Sequence, residues 1–493
     1  MNSLVEVVST HARQQPDRPA LFFEGQTITY AQLFARIQQF ARALLKLGWQ
    51  PGERAALFLS NCPEFVIAYL GIQLAGGIVV LVNTQYRQVE LGHIFTDAGV
   101  RLCVTGTEGQ ALLRSLSLPA LKTLVVVGEP GIPQEDAGPE VFTLRDFLAD
   151  QHEDTTPTLA MPESRTPAII GYTSGTTGLA KGALLHHSHI MANIQAVTSA
   201  WHWTGSDRLL LTLPLFHTHG LMVGVNGTLL TGGSALLRQK FDAGDVLTTL
   251  KNDPTITLFF GVPTMYVRLL AEARQQGAPQ HTLRLYVSGS APLSAQVFTD
   301  FKQIFGQTIL ERYGMTETIM NLTNPYEEER RAGTVGGPFP GQHARIVDTQ
   351  TRQILSSGEI GEIEVSGPHV FAGYWNRAEA TAEVFTSDGW FKTGDLGWCS
   401  EDGYFTITGR ARELIISGGY NIYPREIEEV LAQHPAVAEV AVVGLPHAEM
   451  GEQVIAVVVR KPGQMASSDE IIAFCRERLA SYKKPRRVVF KDL

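Results

Sequence analysis

Residues 171–182 read GYTSGTTGLAKG, a loop that is richer in hydroxyls and glycines than any other part of the chain. Glycines let backbone N–H groups approach an anion, hydroxyls donate hydrogen bonds, and Lys181 adds a point charge. The donors that the loop offers are Thr173, Ser174, Gly175, Thr176, Thr177 and Gly178. The composition is typical of a phosphate-binding loop, and the apolar run at 167–170 predicts a buried strand leading into it.

The spacing differs from that of the common nucleotide loop, in which the second glycine is followed directly by Lys and then Ser or Thr. Here two residues separate Gly178 from Lys181, and Gly182 follows. An isolated glycine pair would be an ordinary turn. The whole segment, however, resembles the phosphate loop of the adenylate-forming superfamily, which includes acyl-CoA synthetases, peptide-synthetase adenylation domains and firefly-type luciferases.

Length and charge narrow the class of protein. A chain of 493 residues exceeds one ordinary core, so we expect two or more domains. The formal net charge of −9 argues against nucleic acid or an anionic membrane as a partner. Any anionic substrate must therefore be captured by a local cluster of donors.

The cysteines and the amino terminus indicate a cytoplasmic protein. Cys62, Cys103, Cys399 and Cys475 are too far apart in sequence for a zinc site or a disulfide framework. The first residues lack a basic region followed by an apolar run, so no secretory signal is predicted. Residues 65–86 carry no charge, but their glycine break favours a buried helix followed by a buried strand over a membrane span.

The alternation of helical and strand-like runs over 28–283 predicts an α/β fold with a largely parallel sheet. After residue 409 the pattern changes to a small α+β unit. It predicts a helix at 425–433, strands at 437–443 and 453–459, and a helix that opens with a capping box at 467–470. We therefore expect a large ATP- and carboxylate-binding domain over 1–410 and a small mobile domain over 411–493.

A second motif, ERYGMTET, spans residues 311–318. Taken alone, it could be a capped helix start. The resemblance implies that Tyr313 lies against adenine, that Thr316 binds the α-phosphate, and that Glu317 holds Mg²⁺ with help from Thr173. It also places further nucleotide contacts in this motif and in the SGSAP segment at 288–292, namely Glu311, Arg312, Gly314, Met315, Ser288, Gly289, Ser290 and Ala291.

Two further segments match the superfamily. Asp395, in GWFKTGDLG, is implied to accept the ribose hydroxyls, and Arg410 to add a ribose or phosphate contact; from the residues alone they could be a turn and a surface charge. The segment 413–428, ELIISGGYNIYPREIE, is implied to swing after adenylation and to line the tunnel for the CoA arm. The implied CoA contacts are Ser417, Gly418, Gly419 and Tyr420, and Arg412 occupies the hinge position.

The identity of the acid depends on Arg284, which lies four residues before Ser288 on a predicted strand. An even offset places both side chains on one face, and a guanidinium in an acyl pocket needs a partner anion. With PLFHTHGL at 214–221, this pattern resembles the malonyl-CoA synthetase branch, which activates malonate and often methylmalonate. Alternatively, Arg284 faces solvent or a structural carboxylate.

The histidines are predicted to serve the pocket and a helix cap rather than a metal. By resemblance His217 gates the pocket between the two half-reactions, and Met320 is a further substrate contact. His219 is expected in the pocket wall, and the cluster HHSH at 186–189 is expected to cap a helix. Neither group has the carboxylate or cysteine spacing of a zinc site.

The resemblance implies a two-step reaction with ATP, Mg²⁺ and CoA. The carboxylate attacks the α-phosphorus to give acyl-AMP and pyrophosphate, and the CoA thiol then displaces AMP. The superfamily's carboxy-terminal lysine segment would follow the YKKP motif, and the sequence stops at Leu493 before it, so we expect weak adenylation. The alternatives are a short- or medium-chain fatty acyl-CoA ligase and a catalytically silent nucleotide-binding homologue.

Overall fold

The computed structural model describes residues 1–131, 138–149, 159–173, 179–417, 420–447 and 450–491. The chain divides into two compact units. Unit 1 comprises 1–332, 337–343 and 366–389; unit 2 comprises 333–336, 344–365 and 390–493. The boundary expected near residue 410 therefore falls inside unit 2.

The helices have these bounds in chain order: α1 (Leu4–Gln14), α2 (Tyr30–Lys46), α3 (Pro63–Leu74), α4 (Gln88–Ala98), α5 (Thr107–Arg114), α6 (Leu144–Ala149), α7 (His187–Ala200), α8 (Asn226–Thr231), α9 (Ala243–Asn252), α10 (Pro263–Gln276), α11 (Ala295–Phe305), α12 (Ala378–Val384), α13 (Pro424–Leu431) and α14 (Ser468–Arg476). A π-helix, His219–Val225, runs directly into α8, and a 3₁₀ turn forms at Ala411–Glu413.

The strands are β1 (Pro19–Phe23), β2 (Gln26–Thr29), β3 (Arg54–Phe58), β4 (Ile78–Leu81), β5 (Leu102–Gly106), β6 (Thr123–Val127), β7 (Glu140–Thr143), β8 (Pro167–Thr173), β9 (Lys181–His186), β10 (Arg208–Leu211), β11 (Ser234–Leu237), β12 (Leu258–Gly261), β13 (Leu285–Ser288), β14 (Ile309–Tyr313), β15 (Leu322–Thr323), β16 (Gly337–Pro338), β17 (His343–Val347), β18 (Gly361–Ser366), β19 (Gly373–Tyr374), β20 (Phe391–Cys399), β21 (Phe405–Arg410), β22 (Ile415–Ser417), β23 (Tyr420–Ile422), β24 (Val437–His447), β25 (Gly451–Arg460) and β26 (Arg487–Lys491).

One sheet of unit 1 has the strand order β16-β15-β14-β13-β12-β10-β11-β1-β2. Its central pairs, from β11 through β10, β12 and β13 to β14, are parallel. Helices α9, α10 and α11 pack on it around an aromatic core that includes Phe259, Tyr286 and Phe301. Parallel strands buried in this way present their carboxyl ends at a single edge, where ligands of open α/β sheets bind.

The other sheet of unit 1 has the order β19-β9-β8-β4-β3-β5-β6-β7. The strand predicted at 167–170 is confirmed, because β8 is buried over 168–171. The segment 65–86 also follows the prediction: α3 is buried almost throughout, and β4 follows it after a turn. Both sheets confirm the α/β class. The described helices include none that is long and apolar enough to cross a membrane.

Unit 2 contains the sheets β17-β18-β20-β21 and β23-β22-β25-β24, with β26 parallel to β25. The elements predicted after residue 409 are confirmed, including the capping box of Ser467 and Glu470 that opens α14. Helix α13 also contacts β21, where Arg425 donates a hydrogen bond to the Ile407 carbonyl. This contact links strands that precede residue 410 to the carboxy-terminal elements, and both belong to unit 2.

Candidate active site

The phosphate-loop motif begins and ends on two paired strands. Thr173, the last residue of β8, pairs with Lys181, the first residue of β9, and the Thr173 hydroxyl donates to the Lys181 carbonyl at 3.4 Å. The predicted phosphate donors between them, Ser174, Gly175, Thr176, Thr177 and Gly178, lie outside the described residues. The two described ends of the loop are thus side by side.

The second motif meets the first across a close contact. A Cβ added to Gly171 would stand 2.6 Å from Cγ2 of Thr316, a separation that a real Cβ does not adopt. Gly171 therefore allows Thr316 to approach the strand that carries Thr173. The fold brings together two motifs that are more than a hundred residues apart in sequence, as the prediction of one phosphate site requires.

Glu317 is nearly buried, with 5% of its surface exposed. Its Oε1 accepts a hydrogen bond of 2.9 Å from the Tyr374 hydroxyl, and its carbonyl accepts one of 2.9 Å from the Phe371 amide. Burial and the Glu317 charge raise the pKa of Tyr374, so the hydroxyl stays protonated. A carboxylate beside hydroxyl and phosphate oxygens suits Mg²⁺, so the donor set fits the predicted metal.

The ring of Tyr374 also contacts the other motif. The Nζ of Lys181 lies 5.3 Å from the ring centroid, within the range of a cation–π interaction. The sequence reasoning missed Tyr374. The signal was a glycine between aromatic side chains in FAGYWN at 371–376, which marks a close backbone approach.

The prediction that Arg284 enters the acyl pocket is wrong. Its Nε and Nη2 donate to the two carboxylate oxygens of Asp207 at 2.8 and 2.9 Å, and its Nη1 donates to the Trp201 carbonyl at 2.7 Å. The structural-carboxylate alternative is confirmed. Arg284 precedes β13, whereas Ser288 ends it, so four residues at about 3.3 Å each place them at opposite edges of the sheet. The even spacing in sequence determines which face of the sheet the two side chains share, but it does not determine which end of the strand each one lies at.

A different arginine, Arg312, is buried at the carboxyl edge of this sheet, and its predicted nucleotide contact stays a prediction. It lies on β14 beside the carboxyl end of β13 and is 3% exposed. Its Nη2 donates to Ser290 Oγ at 3.3 Å, while its buried Nε has no hydrogen-bond partner among the described residues. Burial lowers the pKa of Arg312 to about 9, which leaves the guanidinium charged at neutral pH.

Other buried polar groups in this region also lack partners within the described chain. They are Ser288 Oγ and both ring nitrogens of His219. Burial and the nearby charge of Arg312 lower the pKa of His219, which keeps the imidazole neutral. Buried polar atoms without protein partners at the carboxyl end of parallel strands are typical of a ligand site.

Aromatic side chains pack against the buried ring of His219. Its ring stacks on Phe260 with centroids 6.1 Å apart, and Phe260 in turn packs edge-on against Trp201 and Trp203. His219 is thus buried against aromatic rings, and its place in the pocket wall stays a prediction. His217 is exposed on the preceding turn, and its gating role stays a prediction. Met320 is buried, and its carbonyl accepts a hydrogen bond of 2.7 Å from the side-chain Nδ2 of Asn193.

The remaining members of the 311–318 motif shape the turn. One oxygen of the Glu311 carboxylate accepts the Leu293 amide at 2.9 Å and so supports the segment after SGSAP; the nucleotide contact of Glu311 stays a prediction. A Cβ added to Gly314 would stand 2.0 Å from the Ile319 carbonyl oxygen, so the turn has room for glycine at this position and not for a larger residue. The partly exposed Tyr313 and Met315 contact each other, with the Tyr313 hydroxyl 3.8 Å from the sulfur. The nucleotide contacts of Tyr313, Met315, Gly289 and Ala291 stay predictions.

In unit 2, Asp395 and Arg410 are opposite each other on β20 and β21. The Arg410 Nε is 3.1 Å from the nearly buried Asp395 carboxylate. The cluster of histidines at 186–189 belongs to unit 1 and caps α7 as expected, because His189 Nδ1 accepts the His186 amide. The ribose roles of Asp395 and Arg410 stay predictions.

The predicted CoA segment is described only in part. Ser417 is buried, and its hydroxyl donates to the Glu452 carbonyl at 2.6 Å, so this group stabilises unit 2. Tyr420 is exposed and stacks on Tyr482 at 4.5 Å. Gly418 and Gly419 lie outside the described residues. Arg412 is in the 3₁₀ turn, with its Nε 3.7 Å from Glu413, and its hinge role stays a prediction.

Comparison with protein-family models gives two matches. Residues 8–375 match a model described as AMP-binding enzyme. Residues 426–493 match a model described as AMP-binding enzyme C-terminal domain. Together the two matches account for most of the chain.

Curated relatives align over nearly the whole chain. A long-chain-fatty-acid–CoA ligase of Bacillus subtilis (strain 168) is 34% identical over 99% of this chain and 91% of its own length. A malonate–CoA ligase of Arabidopsis thaliana is 32% identical over 99% of this chain and 86% of its own. These names agree on the reaction and differ on the acid.

Solved structures give the same picture. ATP-bound MatB from Rhodopseudomonas palustris superposes with a TM-score of 0.91 at 37% identity, over 100% of this chain and 95% of that one. The o-succinylbenzoate coenzyme A synthetase MenE from Bacillus subtilis, in complex with ATP and magnesium ion, gives 0.85 at 30% identity over 98% and 95%. Both likenesses extend over the two units described above.

Proposed function

Since this chain belongs to the AMP-binding enzyme family and is an acyl-CoA ligase, we propose that it activates a small dicarboxylate of the malonate type. ATP supplies the adenylyl group, CoA accepts the acyl group, and AMP and pyrophosphate are released. The observation that supports the choice of acid is the buried, incompletely satisfied guanidinium of Arg312.

The charge argument starts from the cost of burying an ion. Removing a guanidinium from water costs several kcal/mol unless an anion and hydrogen bonds replace its hydration. Arg284 meets this requirement with Asp207, to which it is hydrogen-bonded. Among the described residues, the Arg312 guanidinium donates to the neutral Ser290, and the nearby Glu311 charge partly compensates for its burial. A second carboxylate on the substrate would supply an anion for the unpaired Nε, and a fatty acid has none to offer.

The size argument depends on the wall behind His219. Phe260 and Trp201 are fully buried, and Trp203 is nearly so. Because these rings pack edge-on, a long alkyl chain that extended past His219 in this direction would have to displace them. A three- or four-carbon acid needs no such path, which favours malonate or methylmalonate over octanoate.

The mechanism follows from the residues of unit 1. The substrate carboxylate attacks the α-phosphorus, the bond to the β-phosphate breaks, and pyrophosphate leaves, while Lys181 and the hydroxyls of Thr173 and Thr316 offset the charge that develops on the phosphates. Glu317 would hold Mg²⁺, which supplies further neutralisation of phosphate charge when it is bound. The CoA thiol then attacks the acyl-AMP carbonyl, and AMP leaves.

In this proposal Arg312 orients the acid through its distal carboxylate, so that the other carboxylate faces ATP. Orientation of a reacting group is worth several kcal/mol of the barrier. Truncating one member of a buried, hydrogen-bonded charge pair costs about 2–5 kcal/mol, and each 1.4 kcal/mol is a factor of ten. Arg312→Gln should therefore lose about 30-fold or more in kcat/KM for malonate.

The test is a panel of malonate, methylmalonate, acetate and octanoate with the unaltered chain and two variants. Binding of stable sulfamoyl analogues of malonyl-AMP and acetyl-AMP, measured by calorimetry, gives a readout that does not depend on turnover. Arg312→Gln should abolish the preference for the malonyl analogue. Arg284→Gln, the matched control, should lower Tm and keep the preference. A preference of the unaltered chain for octanoate, or an intact malonyl preference in Arg312→Gln, would refute the proposal.

A further inference from the structure

Tyr374 contacts both groups that are expected to handle the phosphates and the metal, and no step described so far gives it a role. It lies on β19, the short edge strand that pairs with β9 in unit 1. Lys181 opens β9, and Glu317 comes from the other motif. The side chain of Tyr374 contacts both of them, Glu317 through its hydroxyl and Lys181 through its ring.

We propose that Tyr374 is a positioning residue of the ATP site: its hydroxyl orients the metal-binding carboxylate of Glu317, and its ring supports the ammonium of Lys181. The inference rests on the proposed function, because it assumes that Lys181 and Glu317 meet Mg-ATP. It adds one residue, with two separable contributions, to that site.

The backbone of the tyrosine is fixed against the strand that carries the lysine. The Trp375 amide donates to the Gly182 carbonyl at 2.7 Å, and the Ala372 amide donates to the Leu184 carbonyl at 3.0 Å. These bonds run on both sides of Tyr374. Its ring therefore has a defined position relative to the start of β9.

A glycine and a threonine fix the turn before the ring. Gly373 has a φ of 136°, and a Cβ there would meet Thr381 Cγ2 at 2.6 Å. The Tyr374 amide donates to Thr381 Oγ1 at 2.9 Å, which ties β19 to α12. The ring of Tyr374 packs edge-on against Phe371, with centroids 5.0 Å apart. Such packing limits the rotamers that the tyrosine can adopt.

The hydroxyl acts on the carboxylate. It donates to Glu317 Oε1 at 2.9 Å, and a phenolic O–H has a single proton to give. One oxygen of the carboxylate is thereby held, which restricts rotation of the group. Because the Phe371 amide also holds the Glu317 carbonyl, one short segment restrains both the backbone and the side chain of this residue. Such support around a metal ligand raises metal affinity.

The ring acts on the lysine. An ammonium 5.3 Å from a tyrosine centroid is attracted to the negative face of the ring, and the attraction grows when the pair is partly desolvated. Lys181 and Tyr374 are both partly buried. Replacement by Phe keeps this interaction and removes the hydroxyl, whereas replacement by Leu removes both. The two contributions can therefore be measured separately.

The experiment uses binding rather than turnover. Mn²⁺ binding in the presence of ATP is followed by electron paramagnetic resonance, and metal-free ATP binding is followed by calorimetry in EDTA. Tyr374→Phe should weaken Mn²⁺ binding about 3- to 10-fold and leave metal-free ATP binding unchanged. Tyr374→Leu should also weaken metal-free ATP binding, by about 2- to 5-fold.

A double-mutant cycle tests whether Tyr374 affects metal binding through Glu317. In the Glu317→Gln background, Tyr374→Phe should cause little further loss of Mn²⁺ affinity, since the coupled carboxylate is gone. The matched control is Tyr30→Phe, which removes another buried tyrosine hydroxyl, bonded to the Gly233 carbonyl at 2.8 Å. It should lower Tm without changing Mn²⁺ binding.

Wild-type Mn²⁺ affinity in Tyr374→Phe, or an undiminished effect in the Glu317→Gln background, would overturn the positioning role. Absence of ATP binding by the unaltered chain would instead refute the proposed function. The two failures are thus distinguishable.

Discussion

The guanidinium of Arg312 fills the space that a side chain on Gly289 would occupy. A Cβ added to Gly289 would stand 2.5 Å from both Nε and Cζ of Arg312 and 2.8 Å from Nη1. The two residues belong to different motifs, SGSAP and ERYGMTET, which neighbouring parallel strands carry to one edge of the sheet. The missing side chain of Gly289 is therefore what allows a buried arginine at this position.

Gly289→Ala tests that relationship. We expect the methyl group to displace the Arg312 guanidinium and to lower kcat/KM for malonate by about 10- to 100-fold, the loss of one or two charge-assisted hydrogen bonds. Calorimetric binding of ATP should change little, because the displaced group faces the acid. Steady-state kinetics with malonate that match the unaltered chain would contradict this account of Gly289.

Phe260→Ala tests the wall behind His219. Removing the buried ring should cost about 3–5 kcal/mol in the free energy of unfolding and should raise the rate with longer acids relative to malonate. The control is Phe259→Ala on the same strand, since Phe259 packs edge-on against Tyr266 and Tyr286 in the helix-covered core. It should cause a similar loss of stability by chemical denaturation and no change in chain-length preference. Equal substrate profiles for the two variants would show that Phe260 does not limit the pocket.

Asp207→Asn tests the structural role of Arg284. The carboxylate is 3% exposed and accepts both Arg284 hydrogen bonds, and it also accepts the Thr257 hydroxyl at 2.8 Å. Breaking a buried ion pair from one side costs about 3–5 kcal/mol, so Tm should fall markedly. The ratio of malonate to acetate activity should stay the same. A selective loss of malonate activity would return Arg284 to the acyl site.

Acid should destabilise unit 1 through its buried histidines. Burial lowers the pKa of His187 to about 4 and that of His369 to about 3, whereas an unfolded chain protonates histidine near 6.5. Below 6.5 the unfolded state therefore binds more protons, and the free energy of unfolding falls as pH drops from about 6.5 towards 4. Above pH 6.5 these two residues do not make the free energy of unfolding depend on pH.

Denaturant titrations from pH 7.5 to 4.5 measure this effect. Replacing His369 by Asn should flatten the decline, and replacing the exposed His202 by Gln should leave its slope unchanged. A free energy of unfolding that is constant over this range in the unaltered chain would show that the histidines are not buried in the neutral form.

The family and its local elements could be read from the sequence because they depend on short-range features. The loop at 171–182, the 311–318 motif and the capping box at Ser467 are contiguous, and their chemistry is set by neighbours along the chain. The same holds for the buried strand before the loop and for the charge-free segment 65–86, which forms α3 and β4. Apolar periodicity and turn residues decide such elements before any tertiary contact forms.

The arginine that we propose to bind the acid could not be identified in this way. Arg284 precedes the SGSAP segment and Arg312 lies inside the 311–318 motif, and side-chain alternation is the same at the two ends of a strand. Only strand order and register show that Arg284 lies at the amino edge with Asp207, and that Arg312 lies at the carboxyl edge over Gly289. The pairing of Tyr374 with Glu317 depends in the same way on β19 joining β9.

By itself, then, the sequence determined the phosphate loop, the α/β class and the carboxylate-activating chemistry, because local residue patterns encode them. The tertiary structure decided which buried charge keeps an unpaired polar atom among the described residues and which side chains meet across motifs. Burial, pairing and close approach are properties of residues that are distant in the chain, and only the packed sheet brings them together.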